Sequence, residues 1–492
     1  MSEPQHVYLC IDLKTFYASV ECADRGLDPF TTNLVVADVS RGRTTICLAV
    51  SPAMKALGVA NRCRLYDIPQ NIDYVAARPR MRHYMEVSAR IYGIYLQYVS
   101  AQDIHVYSVD ECFIDATPYL KLYGLSAREF ADELRGAVLA RTGITATAGI
   151  GTNLFLAKVA LDITAKHAAD GIGILDEQRF LEQVQPHRPI TDIWGIGPGT
   201  AERLARYHVY DLRGVAALSE ELLYREFGVD AEYLIDHAHG HEPCTIEDIH
   251  NYTPAATSVS NGQVLKRNYS EQEARTVMRE MVDASVLELV ERHVVASTIS
   301  LAVGLGTDER EWRRLDASGT AQFRDNVGAL HGSGSTDVPQ EISWPGEGPR
   351  RAGKPASHGT AGTVQDGNRA STGAPSGSAR RCARAGRQRR LGERTNSRQK
   401  LMAAFEELWE EAVAPDALIR RINVGFGDLL PEEFATCDLF TDVALEEREH
   451  SLQEAIIDVK DRYGKNALVR GRSLRPEATG RERNEQVGGH HA

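Results

Sequence analysis

Residues Val7 to Ile11 read Val-Tyr-Leu-Cys-Ile, an unbroken apolar run that ends on a carboxylate, Asp12. A strand that is apolar on both faces must be covered on both, so this run belongs in the middle of a sheet with helices packed over it. An acid then stands at the end of a central strand. A second candidate for the same sheet is HVYSVDECFIDAT, His105 to Thr117, where Val106, Val109, Phe113 and Ile114 flank the adjacent acids Asp110 and Glu111. Neighbours on a regular strand point to opposite faces, so these two acids can serve one site only if the chain turns or bulges at Ser-Val-Asp-Glu. A solvated acidic turn is the competing reading, and the apolar flanks count against it.

Strand and helix patterns interleave over the rest of the first half, which sets the class as α/β or α+β. A helix is expected from near Thr15. Ser126 and Glu129 form a capping box that opens a helix to about Arg141, and TATAGIG (Thr145 to Gly151) reads as a strand. The next helix, about Asn153 to Lys166, carries Leu154, Ala157 and Leu161 on one side and Lys158, Asp162 and Lys166, four apart, on another. That second side is either a phosphate-facing surface or a solvated face laced by salt bridges. From Ile190, ITDIWGIGPGTAERLARY sets a Gly-rich turn between short helical patterns that continue to about His241.

From Thr257 a strand, an amphipathic helix (Glu271 to His293, with Met278, Val282, Val286 and Leu289 on its buried face) and a strand form half of a larger α/β unit. The other half, a helix from about Ser397 to Ala412 and the strand LIRRINVGFG, follows only after a gap. Residues 327–396 are rich in Gly, Ser, Pro, Ala and Arg and poor in large apolar side chains, so this stretch is expected to be a disordered insertion. A helix over Ser451 to Tyr463 then precedes a polar tail, whose His490 and His491 read as a solvated end in preference to a metal site.

At 492 residues the chain exceeds a single core and should form several domains. No apolar stretch is long enough for a membrane span and the N-terminus lacks a basic leader, so a cytoplasmic protein is expected. Eight scattered cysteines with no C-x-x-C pair argue against a zinc module or disulfide framework. The net charge of −12 is adverse for a nucleic-acid protein, but the charge is uneven: 13 Lys or Arg between Arg350 and Lys400 face two acids, an excess of 11 that leaves −23 on the remainder. Any DNA surface in that remainder must be a local basic stripe.

Carboxylates that bridge two divalent ions are what phosphoryl transfer needs, and Asp12 with Asp110 and Glu111 could supply them. IDLKTFYASVE (Ile11 to Glu21) and YSVDECFIDAT (Tyr107 to Thr117) resemble the two catalytic motifs of the Y-family DNA polymerases in residue type and separation. AGIGTNLFLAKVALDITAK, WGIGPGTAERL and TSVSNGQVLKRNYS resemble the rest of that family's palm, its thumb and its little finger, in order. SPAMKALGVANRCRLYDIP is similar to the Gram-positive UV-damage-repair branch of the DinB/UmuC-type enzymes.

The resemblance implies a right-hand polymerase: a ferredoxin-like palm (1–18 and 79–185), small fingers (19–78), a helical thumb (186–245) and a βαββαβ little finger (252–326 and 397–430), with a tail over 431–492. It implies translesion synthesis on primer-template DNA from deoxynucleoside triphosphates, with two Mg²⁺ ions that Mn²⁺ can replace, by a monomer in the bacterial cytoplasm that joins the nucleoid during repair. Asp12, Asp110, Glu111 and the carbonyl of Leu13 become the metal ligands. Tyr17, beside Phe16, matches the aromatic that excludes a ribose 2′-hydroxyl; helix core is its plain alternative. Lys166 matches the triphosphate lysine, with Ser51 and Lys55 as fingers partners, although Ser51-Pro52-Ala53-Met54-Lys55 departs from the commoner S-Y-E-A-R. A lysine there lacks the bidentate guanidinium.

Gly195, Gly197 and Gly199 resemble a helix-hairpin-helix turn that binds a DNA phosphate, while Lys158, Lys266 and Arg267 suit phosphate contacts. Asp438, Leu439 and Phe440 sit where the family carries a sliding-clamp peptide, here without its glutamine. Two rivals stand beside this reading. One is a nucleotide cyclase on a related palm, against which the GIGPG turn and little finger argue. The other is a clamp-associated DNA-binding protein that no longer synthesises.

Overall fold

β1 (Tyr8–Leu13) is buried along nearly its whole length, as its apolar run requires. After it come a helix, Phe16–Asp24, and a separate small sheet of β2 (Leu34–Val36), β3 (Ala49–Val50) and β4 (Val75–Ala77), which closes over its own core of Val35, Cys47, Val50, Met54 and Leu65. The chain then returns to the first sheet through the helix Met81–Tyr95 and adds β5 (Ile104–Val106), β6 (Glu111–Asp115), β7 (Ala146–Gly151) and β8 (Ile172–Leu175). The order is β5-β6-β1-β7-β8, with β1 central and antiparallel to both β6 and β7. With the helices Met81–Tyr95 and Ala127–Thr142 as crossovers, the first four of these strands form a ferredoxin-like βαββαβ sheet. β8 extends its edge parallel to β7.

The computed structural model describes residues 6–253, 257–306, 384–436, 442–487 and 490–491. Those up to Thr253 form one compact unit and those from 257 to 487 a second.

Two glycines on β7 decide how closely the next helical run can approach. A Cβ at Gly149 would lie 2.1 Å from the Ala157 carbonyl oxygen, and one at Gly151 would lie 2.2 Å from the Ala157 nitrogen. The helix therefore rests on bare backbone. It begins at Leu154 with Asn153 as its cap, widens to a π turn over Ala160–Thr164 and tightens at Ala165–His167. The capping box of Ser126 and Glu129 is present at the start of Ala127–Thr142. Short helices Pro198–Ala205, Leu212–Ala216, Glu220–Phe227, Ala231–Ala238 and Ile246–Asn251 complete the unit, most of them over a core that includes Phe155, Phe180, Leu204 and Leu223.

In the second unit β9 (Ser258–Tyr269), the helix Glu271–Glu291, β10 (Val294–Leu305), β11 (Arg384–Thr395), the helix Arg398–Ala412 and β12 (Ile419–Gly427) give a βαββαβ layer. Its sheet order is β11-β10-β12-β9, every neighbouring pair antiparallel. Met278, Val282, Phe405, Trp409 and Phe426 fill the space between helices and sheet.

Three expectations need correction here. The insertion was expected to reach residue 396, but 384–395 are β11, paired with β10 from Gly304↔Arg384 to Ala296↔Thr395. Main-chain pairing to a formed strand needs no apolar side chain, and the inward Arg389 is neutralised by Glu407 and Glu411 on the helix behind it. Residues 307–383, which include most of the expected insertion and the end of the stretch 252–326, lie outside the described residues. The helix expected from Ser451 starts at Val443, with Asp442 capping it, and a short helix, Gly480–Asn484, follows. The tail beyond it is not merely solvated: the N–H groups of Thr479 and Gly480 donate to Glu280 Oε2 at 2.9 and 3.0 Å, and Arg470 reaches Asp283. Polar pairing at this density was invisible to a reading based on apolar periodicity.

The six described cysteines are free thiols. Among the described residues no helix is long and apolar enough to cross a membrane.

Candidate active site

The apolar run of β1 carries Asp12 to the strand end, where its Cα partner across the antiparallel pair is Glu111. Opposed residues of an antiparallel pair project to the same face. Asp110 precedes Glu111 in a tight connection from β5 to β6, in which the N–H groups of Tyr107 and Ser108 both donate to the Glu111 carbonyl at 3.0 Å. This is the turn that an Asp-Glu pair needs in order to serve one site. The Leu13 N–H donates to the Asp110 carbonyl at 2.8 Å and ties the turn to β1, while Ser108 Oγ donates to Asp110 Oδ1 at 2.7 Å.

Crowding these acids has an electrostatic consequence. Burial, then the charges of Asp110 and Glu111, push the Asp12 pKa up to about 8. Burial also raises Asp110 and Glu111, against the opposing pull of Lys158. Half-buried carboxylates that repel one another and offer only hard oxygen donors suit a divalent cation such as Mg²⁺. The fit of the donor set is therefore good, yet no group of three acids, histidines or cysteines among the described residues is already drawn together tightly enough to hold an ion. Glu111 is itself held: its Oε1 is engaged by Lys158 Nζ at 2.7 Å and by the Cys10 thiol at 3.1 Å.

Lys158 departs from expectation too. Spacing offered it as a phosphate contact, but it is buried and paired with Glu111 and, at 3.1 Å, with Asp162. Burial works against its charge and the neighbouring Glu111, Cys10 and Asp162 outweigh it, so its pKa is raised. So does Ser51. It is fully buried, and its hydroxyl donates to the Thr32 carbonyl at 2.7 Å, accepts from Leu34 N–H at 3.1 Å and caps the helix Pro52–Ala56. Nothing of that hydroxyl is left for a nucleotide.

Lys55 and Lys166 are exposed, and Lys166 makes only a loose pair with Asp162 at 3.7 Å. Partial burial lowers the Lys55 pKa, Asp12 raises it, and Lys14 and Lys166 lower it again, so three cations lie within electrostatic reach of one another beside the carboxylates. Lys14 was missed in the sequence. Its place directly after the strand that delivers Asp12 was the available signal. Phe16 is buried, whereas Tyr17 is partly exposed and stacks on Tyr84 with ring centroids 4.7 Å apart.

In the glycine turn, Gly195 has φ +84°, a conformation that asks for glycine, and Gly197 caps Pro198–Ala205. The space beside Gly195, Gly197 and Gly199 is open. In the second unit Lys266 and Arg267 are exposed, and each is paired within the unit, with Glu482 and Glu273 respectively. Asp438, Leu439 and Phe440 lie outside the described residues.

Carboxylates gathered at the ends of two central strands of a ferredoxin-like sheet make a site suited to metal-assisted phosphoryl transfer. The impB/mucB/samB family model matches residues 11–162. The putative UV-damage repair protein UvrX of Bacillus subtilis is 30% identical over 308 residues, 62% of this chain and 72% of that protein. DNA polymerase IV 2 of the same organism is 26% identical over 503 residues, 99% of each chain. A solved Y-family DNA polymerase chimera, Dbh-Dpo4(243-245)-Dbh, superposes with a TM-score of 0.53 at 16% identity, covering 86% of this chain and 99% of that one, and so shares the fold. The chain belongs to the UmuC/DinB-type Y family of DNA polymerases, and it is similar to the UV-damage-repair branch of that family.

Proposed function

We propose that this chain is a DNA-directed DNA polymerase that carries out translesion synthesis, with Asp12, Asp110, Glu111 and the Leu13 carbonyl as the ligands of two Mg²⁺ ions, for which Mn²⁺ can substitute. The observation that carries this reading is the meeting of three carboxylates at adjoining strand ends with Lys14, Lys55 and Lys166 close by. When bound, the ions lower the pKa of the primer 3′-hydroxyl and stabilise the departing oxygen. That hydroxyl attacks the α-phosphate of the incoming deoxynucleotide, the α–β phosphoanhydride bond breaks, and pyrophosphate leaves. Lys55 and Lys166, joined by Lys14, hold the triphosphate. Phe16 is buried and would only back its neighbour, whereas the partly exposed Tyr17 ring would face the sugar and exclude a 2′-hydroxyl.

On this reading the five-stranded sheet is the palm, the β2–β4 sheet the fingers, the helices from Pro198 to Ala238 the thumb (186–245) and the second unit the little finger. The N–H groups of Gly195, Gly197 and Gly199 would receive a phosphate of the duplex, and Lys266 and Arg267 would position its backbone without reading sequence. The work is done as a monomer at damaged DNA in the cytoplasm, with the sliding clamp as a candidate partner through Asp438 to Phe440.

Primer extension with Mg²⁺ on intact and lesion-bearing templates tests the proposal. Asp12→Ala, Asp110→Ala and Glu111→Ala should each abolish nearly all incorporation while primer-template affinity stays close to the parent's. Near-normal extension by Asp110→Ala would sink the assignment, and an inert parent chain that still binds DNA would favour the non-synthesising rival.

A further inference from the structure

Two groups hold Glu111 at the same oxygen. The ammonium of Lys158 and the Cys10 thiol both contact Oε1, at 2.7 and 3.1 Å. The lysine is itself fixed on several sides. Its side chain is 8% exposed, Asp162 Oδ2 lies 3.1 Å from Nζ, and the Tyr107 ring centroid lies 5.9 Å from Nζ. Tyr107 in turn accepts a hydrogen bond from Trp194 Nε1 at 3.0 Å, so the ring cannot swing away freely. The helix that carries Lys158 sits on β7 with no side chain between. An ammonium held this firmly defines where a carboxylate partner must be.

From this geometry we infer that Lys158 is a positioning residue: it holds Glu111 by Oε1 and so presents Oε2 to a divalent ion beside Asp12 and Asp110. This rests on the reading of Glu111 as an ion ligand. Without the ammonium, Glu111 faces the like charge of Asp12 directly across the strand pair and has no reason to stay turned toward it. The carboxylate would keep its place in the chain and lose its aim. A lysine that served only to offset buried charge would contribute to folding and leave ion binding alone, which separates the two roles experimentally.

The test uses the full chain bound to primer-template with a dideoxy-terminated primer and an incoming nucleotide, titrated with Mn²⁺ and followed by electron paramagnetic resonance of the free ion. For Lys158→Met, loss of such a supporting contact should weaken binding of one Mn²⁺ by about 10 to 100-fold. The Mg²⁺ concentration for half-maximal incorporation should rise correspondingly, with primer-template affinity and the KM for nucleotide unchanged. Lys158→Arg keeps the charge but moves the donor, so it guards against a Lys158→Met protein that fails to fold; it should weaken ion binding too. Parental Mn²⁺ binding and Mg²⁺ dependence in a folded variant of either kind would overturn the inference. Full activity in Glu111→Gln would instead remove the ion-ligand reading and take the inference down with it.

Discussion

Gly149→Ala asks whether contact between β7 and the lysine-bearing helix sets the geometry of the site. The added Cβ would lie 2.1 Å from the Ala157 carbonyl oxygen, 2.3 Å from the Leu161 nitrogen and 2.8 Å from the Leu161 Cβ. Non-bonded heavy atoms want roughly 3.5 Å, and the two nearest are main chain that no rotamer change can move aside. The helix must therefore back off by roughly 1 Å. Lys158 Nζ stands 2.7 Å from Glu111 Oε1, and such a bond is lost by about 3.2 Å, so a retreat of that size breaks it. Overpacking should cost about 1 to 3 kcal/mol of stability. A misplacement of about 1 Å in a reacting constellation can cost on the order of 100-fold in rate. Urea denaturation read by circular dichroism and single-turnover incorporation with Mg²⁺ measure the two effects. Gly136→Ala is the control, because its methyl meets nothing within 4 Å on the helix Ala127–Thr142; it should add about 0.5 to 1 kcal/mol and leave the rate alone. Parental stability and rate in Gly149→Ala would refute the reasoning.

Tyr17→Ala should raise the ratio of ribo- to deoxynucleotide incorporation, measured in parallel single-nucleotide assays; an unchanged ratio would make Tyr17 a packing residue on Tyr84. Deleting 328–380 should preserve folding and incorporation, whereas deleting 328–396 also strips β11 from β10 and should lower the denaturation midpoint. The salt dependence of DNA binding should barely change with the shorter deletion, since residues 328–380 carry five Lys or Arg against four acids, and β11 keeps Arg387, Arg389, Arg390 and Arg394. His105 is buried, and that burial, with His250 nearby, lowers its pKa to about 4. A folded-state pKa below the unfolded value means that stability is present above about pH 6.5 and is lost as pH falls toward 4, by about 3 kcal/mol in all. His105→Asn should flatten that part of the pH–stability curve, and an unaltered curve would exclude His105 as its source.

The carboxylates were legible because each lies in or beside an apolar strand, and period and burial reveal such strands without any tertiary knowledge. The helix carrying Lys158 was legible as a helix, yet not the direction of its lysine. Spacing four apart fixes a shared side of a helix, and which side is buried depends on glycines of another strand. Ser51 shows the same limit: a serine before Pro52 can cap a helix or face a ligand, and only the fold brings Thr32 and Leu34 to its hydroxyl. β11 was missed for a different reason. Composition measures what a segment can bury, whereas an edge strand can be held by backbone pairing and by acids supplied from a neighbouring helix.

The pairing of Gly304 with Arg384 holds two chain positions that are far apart in the sequence side by side in the sheet. Whatever joins those two positions inherits ends already brought together, and for a flexible joint the closure cost then grows only logarithmically with length, each doubling costing about 0.6 kcal/mol. The ends of β10 and β11 therefore form a natural splice port. A folded reporter domain with neighbouring termini, joined to Gly306 and Arg384 through short flexible linkers, should leave β10 and β11 paired and would give a labelled polymerase whose catalytic half carries no tag.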